Sequence, residues 1–350
     1  MADSTIFGKI KDMDHEEVVH CYDKRTGLRA IIAIHNTTLG PGLGGTRMWR
    51  YDTEEEALVD VLRLSRGMTY KAAIAGLPLG GAKAVILGNP RKDKTPALFQ
   101  RYGEFIDRFG GKFVTAEDMG MSTTEIDYLS QATKHVVGLP ETKGGSGDPS
   151  PVTAYGVYMG MKAAAKFTYG ADSLNGLTVL VQGLGNVGKQ LVVLLNKEGA
   201  RIKVSDIFDD KIKAVSKFNV EVVNPEHLFE EKMDIYAPCA LGATVNDLTL
   251  ESMDCKIIAG SANNQLADEK RHGQLLTEKG VVYAPDYLIN AGGLINCYQD
   301  LVGYDRKIAM TKTERIYDET LKILQDSSKT KRPTYMIANK IAESRFKRPD

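Results

Sequence analysis

Residues 178–206, TVLVQGLGNVGKQLVVLLNKEGARIKVSD, constrain the fold more than any other stretch, because they read in one order only: strand, turn, helix, strand. Thr178 to Gln182 is a short apolar, β-branched run without polar alternation, the pattern of a parallel strand covered by helices on both faces. Gly183, Gly185 and Gly188 follow at G-x-G-x-x-G spacing and open the amphipathic segment Lys189 to Lys197, where Leu191, Leu194 and Leu195 recur at helical intervals. In such a turn the first glycine permits the tight reversal, the second lets backbone approach a pyrophosphate, and the third lets helix and strand pack closely. The anion then sits on the helix N-terminus. Arg201 to Ser205 is a second apolar strand, and Asp206 ends it about twenty residues beyond the glycines, where a carboxylate accepts from both ribose hydroxyls. A carboxylate there repels the extra phosphate of NADP, and Arg201 comes too early to replace it, so the expected cofactor is NAD. The plainer alternative is a glycine-rich turn in an α/β domain, with Asp206 as a helix cap.

At 350 residues the chain has room for two domains, and about 150 residues precede the nucleotide motif, enough for a separate substrate domain. Lys plus Arg balances Asp plus Glu at 45 each, so no net field favours nucleic acid or a membrane surface, and small-molecule ligands are expected. No apolar run approaches the roughly 20 residues of a membrane span, and MADSTIFGKIKDMDHEE is polar and acidic, so no membrane association and a cytoplasmic location are expected. Cys21, Cys239, Cys255 and Cys297 are scattered without a C-x-x-C pair and read as reduced thiols. The six histidines form no metal-ligand cluster, and no metal is expected.

Along the chain, Glu17 to Tyr22 and Leu28 to His35 are β-rich runs separated by DKRTG, whose Gly27 suits a hairpin. LGPGLGGTRMW, residues 39–49, is too irregular for a helix and too apolar for a solvated linker, which suits a stretch lining a site. A helix is predicted from Thr53, its N-cap, to Arg66, ending near Gly67. Beyond it, RGMTYKAAIAGLPLGGAKAVILGNP puts Lys71 and Lys83 on either side of a Gly/Pro turn, with Lys83 inside an apolar run. Desolvation or a neighbouring cation makes such a lysine a general base; the alternative is a surface lysine at a strand edge. After a helix from Thr95 to Phe109, the strand Phe113 to Thr115 leads into Glu117 and Asp118. Asp118 either exchanges protons with a substrate or caps the helix starting near Ser122.

Lys143 to Pro151, KGGSGDPSP, is the Gly/Ser/Pro-rich stretch between two periodic regions and marks a domain boundary and hinge. A helix from Thr153 through Phe167 leads into the nucleotide strand, and KMDIYAPCA, CKIIAGSANNQL and GVVYAPDYLINAGGLIN each run an apolar strand into a small-residue turn. Asn263, Asn264 and Asn290, with Gly292 and Gly293, offer amides and bare backbone to a nicotinamide; asparagines in turns with positive φ are the alternative. A long helix from Arg306 to about Gln325, a break at Pro333 and a last helix close the chain.

GPGLGGTRMW, GMTYKAA, GLPLGGAKAVI, TAEDMG, GDPSPVTAYGV, QGLGNVG, APCALGATVN, GSANNQL and YAPDYLINAGG together resemble the glutamate, leucine, phenylalanine and valine dehydrogenases, most closely the leucine branch, over nearly the whole chain. The resemblance implies two α/β domains with a cleft between them. Residues 1–148 plus 333–350 would form the substrate-binding and oligomerisation domain, and residues 149–332 a Rossmann domain holding NAD. It implies reversible oxidative deamination of an L-amino acid, with NAD and water, to a 2-oxo acid, ammonia and NADH. Lys83 becomes the catalytic base and Asp118 the proton carrier to and from the amino group, with Glu117 left structural. Lys71 takes the substrate α-carboxylate and, as a nearby cation, favours a neutral Lys83.

Leu43 stands where glutamate dehydrogenases carry a lysine for the distal carboxylate, so an apolar side chain is implied; Gly44, Gly45, Met68 and Asn264 join it around the substrate. Leu294 and Cys297 correspond to pocket positions where leucine dehydrogenases tend to have valine, and a methylene there is worth only about 1–3 kcal/mol of discrimination. Leu184, Asn186 and Val187 of the glycine turn, Asp206, Thr153, Ala240, Asn263 and Asn290 are assigned to NAD. The expectation is an NAD-dependent dehydrogenase of L-leucine and other branched-chain amino acids, a homo-oligomer between dimer and octamer. A phenylalanine, valine or tryptophan dehydrogenase is the competitor, and a non-catalytic NAD-binding sensor the reading from a different class.

Overall fold

A computed structural model describes residues 5–347, which divide into two compact units. The first runs to Asp148 and takes in Cys297–Tyr304 and the chain from Ala342 on. Its elements are α1 (Ile6–Asp12), β1 (Glu17–Asp23), β2 (Leu28–Asn36), β3 (Gly42–Trp49), α2 (Glu54–Ile74), β4 (Gly80–Leu87), α3 (Pro96–Asp107), β5 (Phe113–Glu117) and α4 (Thr123–Ser130). The sheet order is β1-β2-β4-β3-β5. β2 is antiparallel to β1 and β4, while β3 is parallel to β4 and β5. Both faces are covered, which is why β2 reads as a continuous apolar run. Ile32 and Ile34 join Phe99 and Tyr102 of α3 and Leu129 of α4 on one face. Ile31 and Ala33 join Leu58, Val61 and Leu62 of α2 on the other. Each fully buried Leu, Ile or Phe contributes about 1.5–3 kcal/mol.

The glycine-rich stretch, read as neither helix nor solvated linker, is from Gly42 a strand, β3, inside the sheet. The helix capped by Thr53 does not stop near Gly67 but continues to Ile74. An internal glycine costs about 1 kcal/mol in a helix, and burial of Thr69, Tyr70, Ala72, Ala73 and Ile74 beyond it outweighs that. Met68 and Lys71 are therefore helical.

The second unit spans Pro149–Asn296 and Asp305–Ile341. It contains α5 (Ser150–Tyr169), β6 (Thr178–Gln182), α6 (Asn186–Glu198), β7 (Arg201–Ser205), α7 (Asp209–Val215), β8 (Glu221–Val222), β9 (Ile235–Pro238), α8 (Asp247–Ser252), β10 (Ile257–Ile258), α9 (Glu269–Lys279), β11 (Val282–Tyr283) and α10 (Asp286–Ile289). The sheet order is β11-β10-β9-β6-β7-β8, parallel throughout. This is the doubly wound order of a Rossmann fold, with its switch point between β6 and β9. Leu180, Tyr236 and Ile258 face a core completed by Leu250 of α8 and Leu276 of α9. α5 packs against α6 and against the long helix of residues 306–330, where an added Cβ at Gly156 would come within 2.9 Å of Ile316 Cδ1.

At its C-terminal end the chain does not divide at Pro333. α11 (Gly292–Val302) starts in the second unit and ends in the first, α12 (Arg306–Thr330) belongs to the second, and α13 (Thr334–Phe346) passes from the second to the first after Ile341. Side chains account for this. Tyr335 lies against Gly273, and the Tyr287 hydroxyl donates to Asn339 Oδ1 at 2.7 Å, tying residues 333–341 to the second unit. Arg345 Nη1 donates to the carbonyls of Ala73 and Ile74 at 2.7 Å each, closing the end of α2. Asp300 Oδ2 accepts from Gly138 N at 2.8 Å and Ser146 Oγ at 3.0 Å. No helix among the described residues is long and apolar enough to cross a membrane.

Candidate active site

In the first unit the chemistry gathers where α2 lies on the sheet. Lys83 pairs with Ala33 in register and shares its face, and β4 lies between β2 and β3, so the strand-edge alternative fails. Lys83 is 7% exposed, and its Nζ meets Asp118 Oδ2 at 3.1 Å. Asp118 follows the last residue of β5 directly. It is not the cap of α4: that is Ser122, in a capping box with Glu125. Burial alone would raise the Asp118 carboxyl, but the Lys83 and Arg47 cations overcome it and hold the group below the ordinary carboxylate range. The site therefore sets an ionised carboxylate against a buried lysine side chain.

The glycines explain how the backbone comes so close. A Cβ on Gly44 would lie 1.7 Å from the Ala82 carbonyl oxygen, with Met68 Cγ next at 3.3 Å. One on Gly45 would lie 2.6 Å from the Glu117 carbonyl oxygen and 2.9 Å from Asp118 Cβ. Leu43, Gly44, Gly45, Met68, Lys83 and Asp118 thus occupy one region of the first unit. Lys71 stands in the last turn of α2, half-buried. Cys297 also belongs to this unit, and burial, then Asp300 and Glu117, push its thiol up to about 12, so it remains protonated. Leu294 and Asn264 lie in the second unit, although Leu294 and Cys297 share a face of α11 at i, i+3 spacing. Arg47 is the residue that motif reading quoted but did not assign: Nε donates to Asp118 Oδ2 at 3.2 Å and Nη1 to Asp60 Oδ2 at 2.9 Å.

In the second unit the predicted cofactor residues lie beyond the carboxyl ends of the parallel strands. Gly183 has φ +95, and a Cβ there would be 2.5 Å from that of Ala240, so only glycine makes this turn. An added Cβ at Gly188 would stand 2.0 Å from the Gly183 carbonyl oxygen, the close packing of helix on strand. At Gly185 it would meet nothing within 4 Å, and no side chain caps α6 behind it. Open space at the second glycine, in front of the N–H groups of Asn186, Val187 and Gly188, fits a pyrophosphate.

Asp206 is not a helix cap. Its Oδ2 accepts from Leu184 N at 2.7 Å and Oδ1 from Phe208 N at 3.0 Å, which holds the carboxylate at the end of β7. Each oxygen keeps a second lone pair for a ribose hydroxyl. Asn290 is 5% exposed; its Nδ2 donates to Asn263 Oδ1 at 2.9 Å and Ser261 O at 3.1 Å, while its Oδ1 is buried without a hydrogen-bond partner. An orphaned acceptor beyond the strand ends suits a carboxamide donor. Asn264 has φ +52, as a turn asparagine does. Thr153 Oγ1 donates to Pro149 O at 3.0 Å and lies where a Cβ on Gly293 would come, 2.7 Å away.

Family models match both parts of the chain. The model described as Glu/Leu/Phe/Val dehydrogenase, dimerisation domain, covers residues 15–135. The model described as Glutamate/Leucine/Phenylalanine/Valine dehydrogenase covers 144–208 and 202–340. A leucine dehydrogenase of Thermoactinomyces intermedius is 53% identical over 97% of this chain and 93% of its own length. A phenylalanine dehydrogenase of Bacillus thermotolerans is 45% identical over 99% of this chain and 92% of its own. The crystal structure of an L-tryptophan dehydrogenase from Nostoc punctiforme superposes with a TM-score of 0.85 at 44% identity, covering 98% of each chain. With the doubly wound sheet, the glycine turn and the Lys83–Asp118 pair, these matches show that the chain belongs to the Glu/Leu/Phe/Val dehydrogenase family and is an NAD-dependent amino-acid dehydrogenase.

Proposed function

We propose that the protein catalyses the reversible oxidative deamination of L-leucine and other branched-chain L-amino acids to the 2-oxo acid and ammonia, in the cytoplasm and as a homo-oligomer. The observation that carries this reading is the buried Lys83–Asp118 contact at 3.1 Å beside the Gly44–Gly45 backbone. Gly183 to Gly188, Thr153, Ala240, Asn263, Asn290 and Asp206 hold NAD, which supplies a hydride acceptor for the substrate Cα. Lys71 neutralises the α-carboxylate. Loss of hydride and a proton from the amino acid leaves an imine. Neutral Lys83 takes a proton from water as the water oxygen adds to the imine carbon, giving a carbinolamine. Asp118, which takes up the proton the amino group loses, returns it to the nitrogen, so that ammonia departs as the C=O bond forms and the hydroxyl proton passes to solvent.

Side-chain selectivity rests on apolar walls. Leu43 is 2% exposed and, in the same unit, the protonated Cys297 thiol behaves as a small apolar group; Leu294, in the other unit, is apolar and buried too, so the positions assigned to the substrate side chain carry no charge. A second reading, an aromatic amino acid as substrate, is favoured by the tryptophan and phenylalanine dehydrogenase matches. Comparison of kcat/KM for L-leucine, L-valine, L-phenylalanine, L-tryptophan and L-glutamate decides between them. Aliphatic substrates ahead by at least tenfold support the proposal, since a pocket methylene is worth about 1–3 kcal/mol. Aromatic substrates ahead overturn the assignment of the walls and leave the reaction intact.

A further inference from the structure

Arg47 connects the Lys83–Asp118 pair to a second acid, and nothing in the reaction as described uses it. Its guanidinium spans two carboxylates, with Nε on Asp118 Oδ2 at 3.2 Å and Nη1 on Asp60 Oδ2 at 2.9 Å. The Tyr51 hydroxyl donates to the same Asp60 oxygen at 2.6 Å. Asp118 Oδ2 also meets Lys83 Nζ, so one oxygen of the proton-carrying carboxylate is shared between the lysine nitrogen and a guanidinium. An open cleft of about 440 Å³ lined by Arg47, Trp49, Tyr51, Asp60 and Met119 lies beside the guanidinium. What fixes it is the Asp60 carboxylate, itself held by Tyr51. A lysine has no planar fork with which to bridge two acids through different N–H edges.

We propose that Arg47, anchored by Asp60 and Tyr51, is a positioning residue for Asp118, setting the carboxylate's orientation beside Lys83 and keeping it ionised between proton transfers. The inference rests on Asp118 as the proton carrier. The charged groups facing that carboxylate are Lys83 from β4, Arg47 from β3, Glu117 from its own segment and, through Arg47, Asp60 from α2. Burial opposes the ionised form and the two cations sustain it, so removal of one cation raises the pH at which Asp118 takes up a proton. Tyr51 is held protonated, its hydroxyl raised by burial and by Asp60, and remains a donor to that acid.

The test is a set of double-mutant cycles: Arg47→Gln, Arg47→Lys, Asp60→Asn and Tyr51→Phe, each made in the natural protein and in Asp118→Asn, with kcat, KM and pH profiles for L-leucine oxidation. Arg47→Gln is expected to lower kcat on the order of 100-fold, and Asp60→Asn and Tyr51→Phe on the order of 10-fold, as for a misplaced catalytic group. NAD KM should stay unchanged and the acid limb of kcat should move to higher pH, with Arg47→Lys recovering part of the loss. In the Asp118→Asn background each change should cost less than about twofold, because the group it positions is already gone. Equal costs in both backgrounds, or an unmoved acid limb in the mild Tyr51→Phe variant, overturn the proposal. If Asp118→Asn alone keeps the natural kcat, the assignment of Asp118 fails and the positioning role falls with it.

Discussion

Gly185→Ala and Gly188→Ala each add one methyl to the same turn, and they should act on different properties. At Gly185, φ −65 and ψ −169 are open to alanine, and the added Cβ meets nothing within 4 Å. The folded state should tolerate it, with stability changing by no more than about 0.5 kcal/mol. The space it fills is the space assigned to the pyrophosphate, before the uncapped N–H groups of α6. Loss of one hydrogen bond to a charged phosphate oxygen costs about 1.5–3 kcal/mol, which is roughly 10- to 150-fold in NAD affinity. At Gly188 the new Cβ would lie 2.0 Å from the Gly183 carbonyl oxygen, and backbone must move. That overpacking costs about 1–3 kcal/mol or more, at about 2–4 °C of Tm per kcal/mol for a domain of this size. Thermal unfolding without nucleotide, together with the NAD KM at saturating L-leucine, reads both effects. An unchanged NAD KM in Gly185→Ala, or a Tm loss in it equal to that of Gly188→Ala, would refute the assignment of the turn.

Asp206→Ala removes the carboxylate at the end of β7, and the preference for NAD over NADP should fall; an unchanged ratio of kcat/KM values contradicts the ribose assignment. It should also loosen the turn, since Leu184 N loses its acceptor, and a small drop in Tm is expected. His15 and His35 are 8% and 4% exposed, and burial, with the neighbouring His15 next for His35, lowers their pKa values from 6.5 to about 4 and about 3. The unfolded chain takes up these protons below pH 6.5 while the folded chain refuses them. Stability should therefore fall as pH drops from about 6.5 towards 4, by up to about 1.4 kcal/mol per pH unit for each imidazole. His35→Gln should reduce the Tm difference between pH 7 and pH 5; an equal difference in the variant contradicts this source of acid sensitivity.

The nucleotide unit was legible because its signals are local: an apolar run, three glycines at fixed spacing and a carboxylate after the next strand all lie within residues 178–206. The central place of β4 was not, because the order β1-β2-β4-β3-β5 inserts it between strands that precede it in the chain. Lys83 therefore looked as compatible with an edge as with a buried strand until the pairing was known. The extension of α2 past Gly67 was hidden because helix propensity is local and the burial that overrides it is tertiary. Arg47 lies 71 residues from Asp118, and Arg345 lies 272 and 271 residues from the carbonyls it closes, separations that no spacing rule connects. Asp60 and Tyr51 escaped for a related reason: an acid on a helix and a tyrosine before it read as ordinary surface until Arg47 joins them.

The central claim, that a buried lysine on β4 is the base of an amino-acid dehydrogenase, is tested most directly with Lys83→Ala beside the natural protein. NADH formation from L-leucine would be followed at alkaline pH, with NAD binding and Tm measured on both. Removal of a general base costs on the order of 100- to 10,000-fold. The account predicts a loss of kcat of that size with NAD affinity retained, because Lys83 lies in the first unit and the glycine turn in the second. Lys83→Ala that still reduces NAD at the natural rate, while remaining folded, would contradict it.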